Sequence, residues 1–150
     1  MPGDADVENG PLLEDENFTR LIMAVQEQGD GDKLIPIERR HRVIEETRPY
    51  RDIIQYYFDS QYHQIKSSIL DPKVHSYVMH GVFLHQQGRL PNPPHPERAL
   101  IIMPLMVVGS LTAQDNITLE VGRPIYIREN ASVELVGTGK LLSIDLVFSK

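Results

Sequence analysis

The chain has no cysteine and no tryptophan. Without thiols there is no disulfide, no thiolate nucleophile and no cysteine-ligated zinc. No apolar run approaches the roughly 20 residues that a membrane-spanning helix requires. The first residues, Met-Pro-Gly-Asp-Ala-Asp-Val-Glu, lack the basic and apolar regions of a secretory signal. Nucleotide-binding glycine loops and the G-x-S-x-G elbow are missing. Gly137-Thr138-Gly139-Lys140 lacks phosphate-loop spacing and a following helix, and reads as a hairpin turn. No internal repeat appears. These absences predict a soluble protein with no self-encoded export signal and no membrane partner.

Basic residues are scarce at one end. Residues 1–32 hold nine acids and one base, Arg20, so that stretch carries −8 of a total of −6 and the remainder carries +2. An acidic arm disfavours nucleic acid and favours a basic surface. With 150 residues the chain fits one domain with a real core. We divide it into an acidic arm, 1–33, and a β-rich domain, 34–150.

The stretch Ala99–Phe148 carries the architecture. Ala99–Val108 is apolar at nearly every position, as a strand covered on both faces would be. Pro104 predicts a bend or break in it. Ile117, Leu119 and Val121 alternate with polar residues, as do Val133 and Leu135, and Leu142, Ile144, Leu146 and Phe148. Period two with a polar face marks a half-covered antiparallel strand. Asp145 falls on that polar face and reads as solvated. Recurring turn residues predict a mainly β protein, an antiparallel β-sandwich or jelly-roll-like body.

Two helices are signalled outside it. In the arm, Asp15 or Asn17 can cap a short helix whose Phe18, Leu21, Ile22 and Val25 share one face. So short a helix must dock, on its own domain or on a neighbouring subunit. Pro49 to Leu70 is the stronger helix, with Tyr50, Ile53, Ile54, Tyr57 and Phe58 as a core stripe and Tyr56 and Tyr62 as excess aromatic surface. It packs on its own sheet or between subunits. Arg39, Arg40 and Arg42 form the one basic cluster, a candidate acceptor for a neighbour's acidic arm. Pro91, Pro93, Pro94 and His95 sit in a stiff loop that is a candidate contact surface.

His75, His80 and His85 recur every five residues in a predicted strand, Lys73–Gln87. Alternation puts His75 and His85 on one face and His80 on the other. No HxH or HExxH unit is present. The pattern therefore predicts no metal, no cofactor and no catalytic residue.

Asn116-Ile-Thr-Leu-Glu-Val-Gly122 and Asn130–Phe148 resemble the strands of small viral and phage virion proteins. That resemblance implies a non-enzymatic capsid decoration, minor capsid or tail-associated part, assembled in the host cytoplasm. Its partners would be further copies of itself, as a homo-oligomer such as a trimer, and other structural proteins. Two alternatives come from other classes. One is a carbohydrate- or ligand-binding module using Tyr126, Tyr77 or Phe83. The other is a metal-dependent β-barrel enzyme using the histidines.

Overall fold

Strand residues and turn residues alternate along the C-terminal half, and the chain folds accordingly into antiparallel sheets with two helices. The computed structural model describes residues 7–28, 34–36, 41–44, 48–68, 76–90, 98–114, 117–128 and 131–149. The elements are β1 (Val7–Asn9), α1 (Glu16–Gln28), β2 (Leu34–Pro36), β3 (His41–Ile44), α2 (Arg48–Ser68), β4 (Ser76–His85), β5 (Gly88–Leu90), β6 (Arg98–Gly109), β7 (Thr112–Ala113), β8 (Ile125–Ile127), β9 (Val133–Val136) and β10 (Gly139–Ser149). A seven-stranded sheet runs β1-β8-β6-β10-β4-β3-β2, and a three-stranded sheet runs β5-β9-β7.

Side-chain alternation on β10 separates two cores. Leu142, Ile144, Leu146 and Phe148 point to the helices, where they meet Phe18, Ile22, Val25, Tyr50, Ile53 and Tyr57. Leu141 points the other way, into a second cluster with Leu90, Val133 and Leu135 of the small sheet and Ile102, Ile125 and Ile127 of the large one. The two sheets therefore pack against each other on the face away from the helices.

α1 begins where Asp15 Oδ1 accepts the Asn17 amide at 2.9 Å, the capping role its side chain suits. Phe18 and Val25 are fully buried and Ile22 nearly so. At about 1.5–3 kcal/mol for each large apolar side chain buried, this face holds a helix that would be marginal alone. The face lies against this chain's own α2 and sheet. Tyr56 of α2 stacks on Phe18 with ring centroids 6.3 Å apart, and its hydroxyl donates to Asp15 Oδ2. α2 itself spans Arg48–Ser68, close to the predicted helix.

Residues 117–121 and the Gly137-Thr138-Gly139 turn depart from the sequence reading, for identifiable reasons. Residues 117–121 form no strand. Asn9 Nδ2 instead donates to the Thr118 carbonyl at 2.9 Å, and the Thr118 amide donates to Asn9 Oδ1 at 2.7 Å. Local backbone bonds add to this, from the Ile117 amide to the Gln114 carbonyl and from the Arg123 amide to the Glu120 carbonyl. At Pro104 β6 is irregular without breaking, in keeping with the bend or break expected there. Its ladder with β10 steps from Met106↔Leu142 to Pro104↔Ser143, leaving Leu105 without a partner residue in β10. This bulge accommodates a residue with no N–H to give. Gly137-Thr138-Gly139 also makes no hairpin, since β9 and β10 lie in different sheets. It is a corner, and Gly139 is needed there: its φ is +139°, and a Cβ would stand 2.0 Å from the Val108 carbonyl oxygen.

Among the described residues, no helix is long and apolar enough to cross a membrane.

The helix-side core buries a phenol. Burial pushes the Tyr57 hydroxyl far above its ordinary value of 10.0, and nearby Tyr126 pushes it the same way. A folded-state value above the unfolded one gives stability that is complete below the unfolded value and is lost as pH rises past it. The melting temperature should therefore fall between about pH 9 and about pH 11, and fall less in Tyr57→Phe. Equal losses in the two proteins would contradict this.

Candidate functional site

The helix-side face of β10 is wholly apolar, but its other face is not. Leu141, Ser143, Asp145 and Val147 alternate there and look toward the small sheet. Ser143 has no solvent exposure, and Asp145 and His85 each keep 5%. These three are the buried polar residues among those described. Sequence alternation assigned Asp145 to a solvated face. The structure corrects this, because that face is turned inward.

β4 brings the histidine. It lies beside β10 in the ladder, with His85 opposite Leu141, Phe83 opposite Ser143 and Gly81 opposite Asp145. His85, Phe83 and Gly81 therefore share the face that carries Ser143 and Asp145. Gly81 has no side chain, and a Cβ there would stand 2.9 Å from the Phe83 ring. His85 Nε2 lies 2.9 Å from Asp145 Oδ2. Ser143 Oγ donates to Asp145 Oδ1 at 2.6 Å. The Phe83 ring lies parallel to the imidazole, with centroids 5.7 Å apart and planes inclined by 6°. The aspartate thus has a hydrogen-bond partner on each oxygen, as a buried carboxyl group requires.

The facing small sheet contributes Leu90, Val133 and Leu135, all apolar. The polar groups of the inter-sheet region therefore come from one wall. A recess of about 220 Å³, lined by Gln86, Gln87, Gly137, Thr138 and Gly139, begins at the residue after His85.

The residues singled out from sequence are dispersed. Phe18, Ile22 and Val25 are buried in the helix-side core and Leu21 packs at its margin. Arg42 belongs to β3, opposite Leu84, while Arg39 and Arg40 lie outside the described residues. So do Pro91, Pro93, Pro94, His95 and His75. Phe18, Leu21, Ile22 and Val25 do not join the cluster at His85. Ser143 and Asp145 were missed because alternation alone does not say which face is wet. The available signal was their flanking by Leu141 and Val147 on the same face.

No family model matches the sequence, and no curated protein matches it. Solved structures do match in fold. A viral collagen prolyl hydroxylase from Paramecium Bursaria Chlorella virus-1, in complex with 2OG, aligns over 97% of this chain and 96% of its own, with a TM-score of 0.60 and 13% identity. An oxidoreductase of the 2OG-Fe(II) oxygenase family from Burkholderia pseudomallei aligns over 97% and 85%, with a TM-score of 0.59 and 10% identity. At these identities the likeness is one of fold. It nevertheless overturns the resemblance to virion structural proteins and the non-enzymatic assembly role drawn from it. Nearly the whole chain is laid out as those two enzymes are. The β-strand style that suggested a virion protein is common to many antiparallel proteins and carries no site.

Non-haem Fe(II) oxygenases hold iron with two histidines and one carboxylate. His85 and Asp145 are the right donors in kind and lie together on the inner face. Among the described residues, however, no group of three histidines, cysteines or acids converges. The described residues make up part of such a set and not the whole.

Asp145→Ala removes a buried hydrogen-bond partner of both His85 and Ser143 and should cost more than the roughly 1–3 kcal/mol of one unsatisfied buried group, measured by denaturant unfolding. Ser143→Ala should cost less, about 1–3 kcal/mol, the usual penalty for a lost buried hydrogen bond. Equal and small losses in both would contradict the geometry.

Proposed function

We propose that the chain is a metal-dependent β-barrel enzyme, an oxidoreductase on a jelly-roll-like body, working at the inner-face centre of His85 and Asp145. The observation that carries this is a buried imidazole–carboxylate pair 2.9 Å apart, set on the inner wall of a fold shared with a prolyl hydroxylase and a 2OG-Fe(II) oxygenase. A scaffold alone has no need of such a pair, since apolar residues of similar volume would serve stability as well or better. The nonpolar surroundings also strengthen electrostatic interactions made there.

His85 is the side chain that would face a metal, with Asp145 beside it. Bound iron would supply redox chemistry and open coordination positions. This chain's own contribution is to orient the imidazole and to keep water from its aspartate partner.

Oxygen consumption by the full chain, with Fe(II) and 2OG and with a collagen-like proline peptide as first substrate, tests this reading. We expect uptake that needs both additions and falls at least about tenfold, or 1.4 kcal/mol in barrier, in His85→Gln. No uptake above a protein-free control would overturn it.

A further inference from the structure

We propose that residues 117–121 are a lid on the inner face of the large sheet, latched by Asn9 of β1, and that its release opens an apolar approach toward Asp145 and His85. What the lid serves rests on the reading of that pair as the working centre; the latch itself does not.

Register places the latch and the pair in one rank across the sheet. Asn9 is opposite Ile125, Ile125 is opposite Ile102, and Ile102 is opposite Asp145. Residues opposite one another in neighbouring strands share a face, and Ile102 and Ile125 belong to the inner cluster. Adjacent strands lie about 4.8 Å apart, so Ile125 stands roughly 10 Å from Asp145 along the rank. Ile117 is buried in that same cluster, and Leu119 packs at its margin. The segment 117–121 thus lies on the inner face, at the end of the rank where Asn9 stands.

Both ends of the segment are fixed by backbone bonds. The Gln114 amide donates to the Glu134 carbonyl at 3.1 Å, the Gly122 amide to the Pro104 carbonyl at 3.1 Å, and the Leu13 amide to the Gly122 carbonyl at 2.9 Å. The bonds from Ile117 to Gln114 and from Arg123 to Glu120 stay within the segment's own turns. Among the described residues, the hydrogen bonds that tie 118–121 to another element come from Asn9, which holds the Thr118 carbonyl at 2.9 Å and the Thr118 amide at 2.7 Å. Thr118 is exposed, so water takes the place of Asn9 when the segment lifts. Of the five residues, Ile117 alone is buried. Gly122, with φ at +86°, supplies the turn at the fixed end. A segment with few buried contacts, fixed ends and one side-chain tie opens at low cost. Lifting it uncovers Ile102 and Ile125. That surface admits a small apolar molecule (dioxygen, on the metal reading) and disfavours a charged one.

Hydrogen exchange of the full chain, without metal, tests the latch. In Asn9→Ala the Ile117 and Arg123 amides, whose bonds Asn9 does not make, should exchange at least about tenfold faster. Amides of α1, α2 and β10 should keep their rates. Dissolved oxygen, as a paramagnetic probe, should relax the Ile102 and Ile125 methyls more strongly than in the wild type, and the helix-side Ile53 and Ile144 no more strongly. Faster exchange at Thr118 alone, or no gain in oxygen contact at Ile102 and Ile125, would overturn the proposal. So would a loss of protection spread evenly over both sheets, which marks general destabilisation. Should Asn9→Ala fail to fold, the wild type decides. Its Ile117 amide should exchange by a local opening indifferent to low denaturant, and exchange in step with β10 overturns the lid. Absence of oxygen uptake by the wild type counts against the metal reading, and these measurements still judge the latch.

Discussion

Everything in this molecule depends on β10 being covered on both faces and paired on both edges. β6 and β4 flank it along nearly its whole length. One face meets two helices and the other meets a second sheet. A strand so placed cannot carry a polar side chain unless that group is hydrogen-bonded within the protein. Ser143 and Asp145 are such groups, and the requirement brings in His85 from β4. The polar centre is thus a consequence of where β10 sits.

The inner region is asymmetric in a way that bears on function. The small sheet offers Leu90, Val133 and Leu135, while the large sheet offers the hydroxyl, carboxylate and imidazole. A reacting molecule held between the sheets would meet a dry wall and a polar one. Ordinary ligand sites have this character, mostly apolar with a few convergent polar groups. Shared fold with two oxygenases supports the reading, although fold alone never carries a function. The buried pair carries it here.

Much of the architecture was legible in the sequence. Period-two alternation located β9 and β10, and helical spacing located both helices, because each of those elements has a covered face that demands apolar residues. The segment 117–121 was misread because alternation also suits an extended loop, and Asn9, more than one hundred residues earlier, makes both hydrogen bonds of the Thr118 backbone. Sequence spacing cannot reveal a partner so distant. The same limit hid the site. His85 and Asp145 are 60 residues apart, and only the register of β4 on β10 makes them neighbours. Of the three histidines spaced by five, the most visible chemical pattern in the chain, His85 is in the cluster, and His75 lies outside the described residues. The virion reading failed for a related reason, since strand style is shared by proteins of unrelated function and says nothing about which face is buried.

The most direct test of the central claim asks where a metal goes. Addition of substoichiometric Mn(II) to the labelled full chain would broaden the amide signals nearest the bound ion. The account predicts selective loss at Phe83–His85 and Ser143–Asp145, on the inner wall, with the helices α1 and α2 unaffected. Broadening confined to surface acids, or none at all, would contradict the placement of the working site at His85 and Asp145.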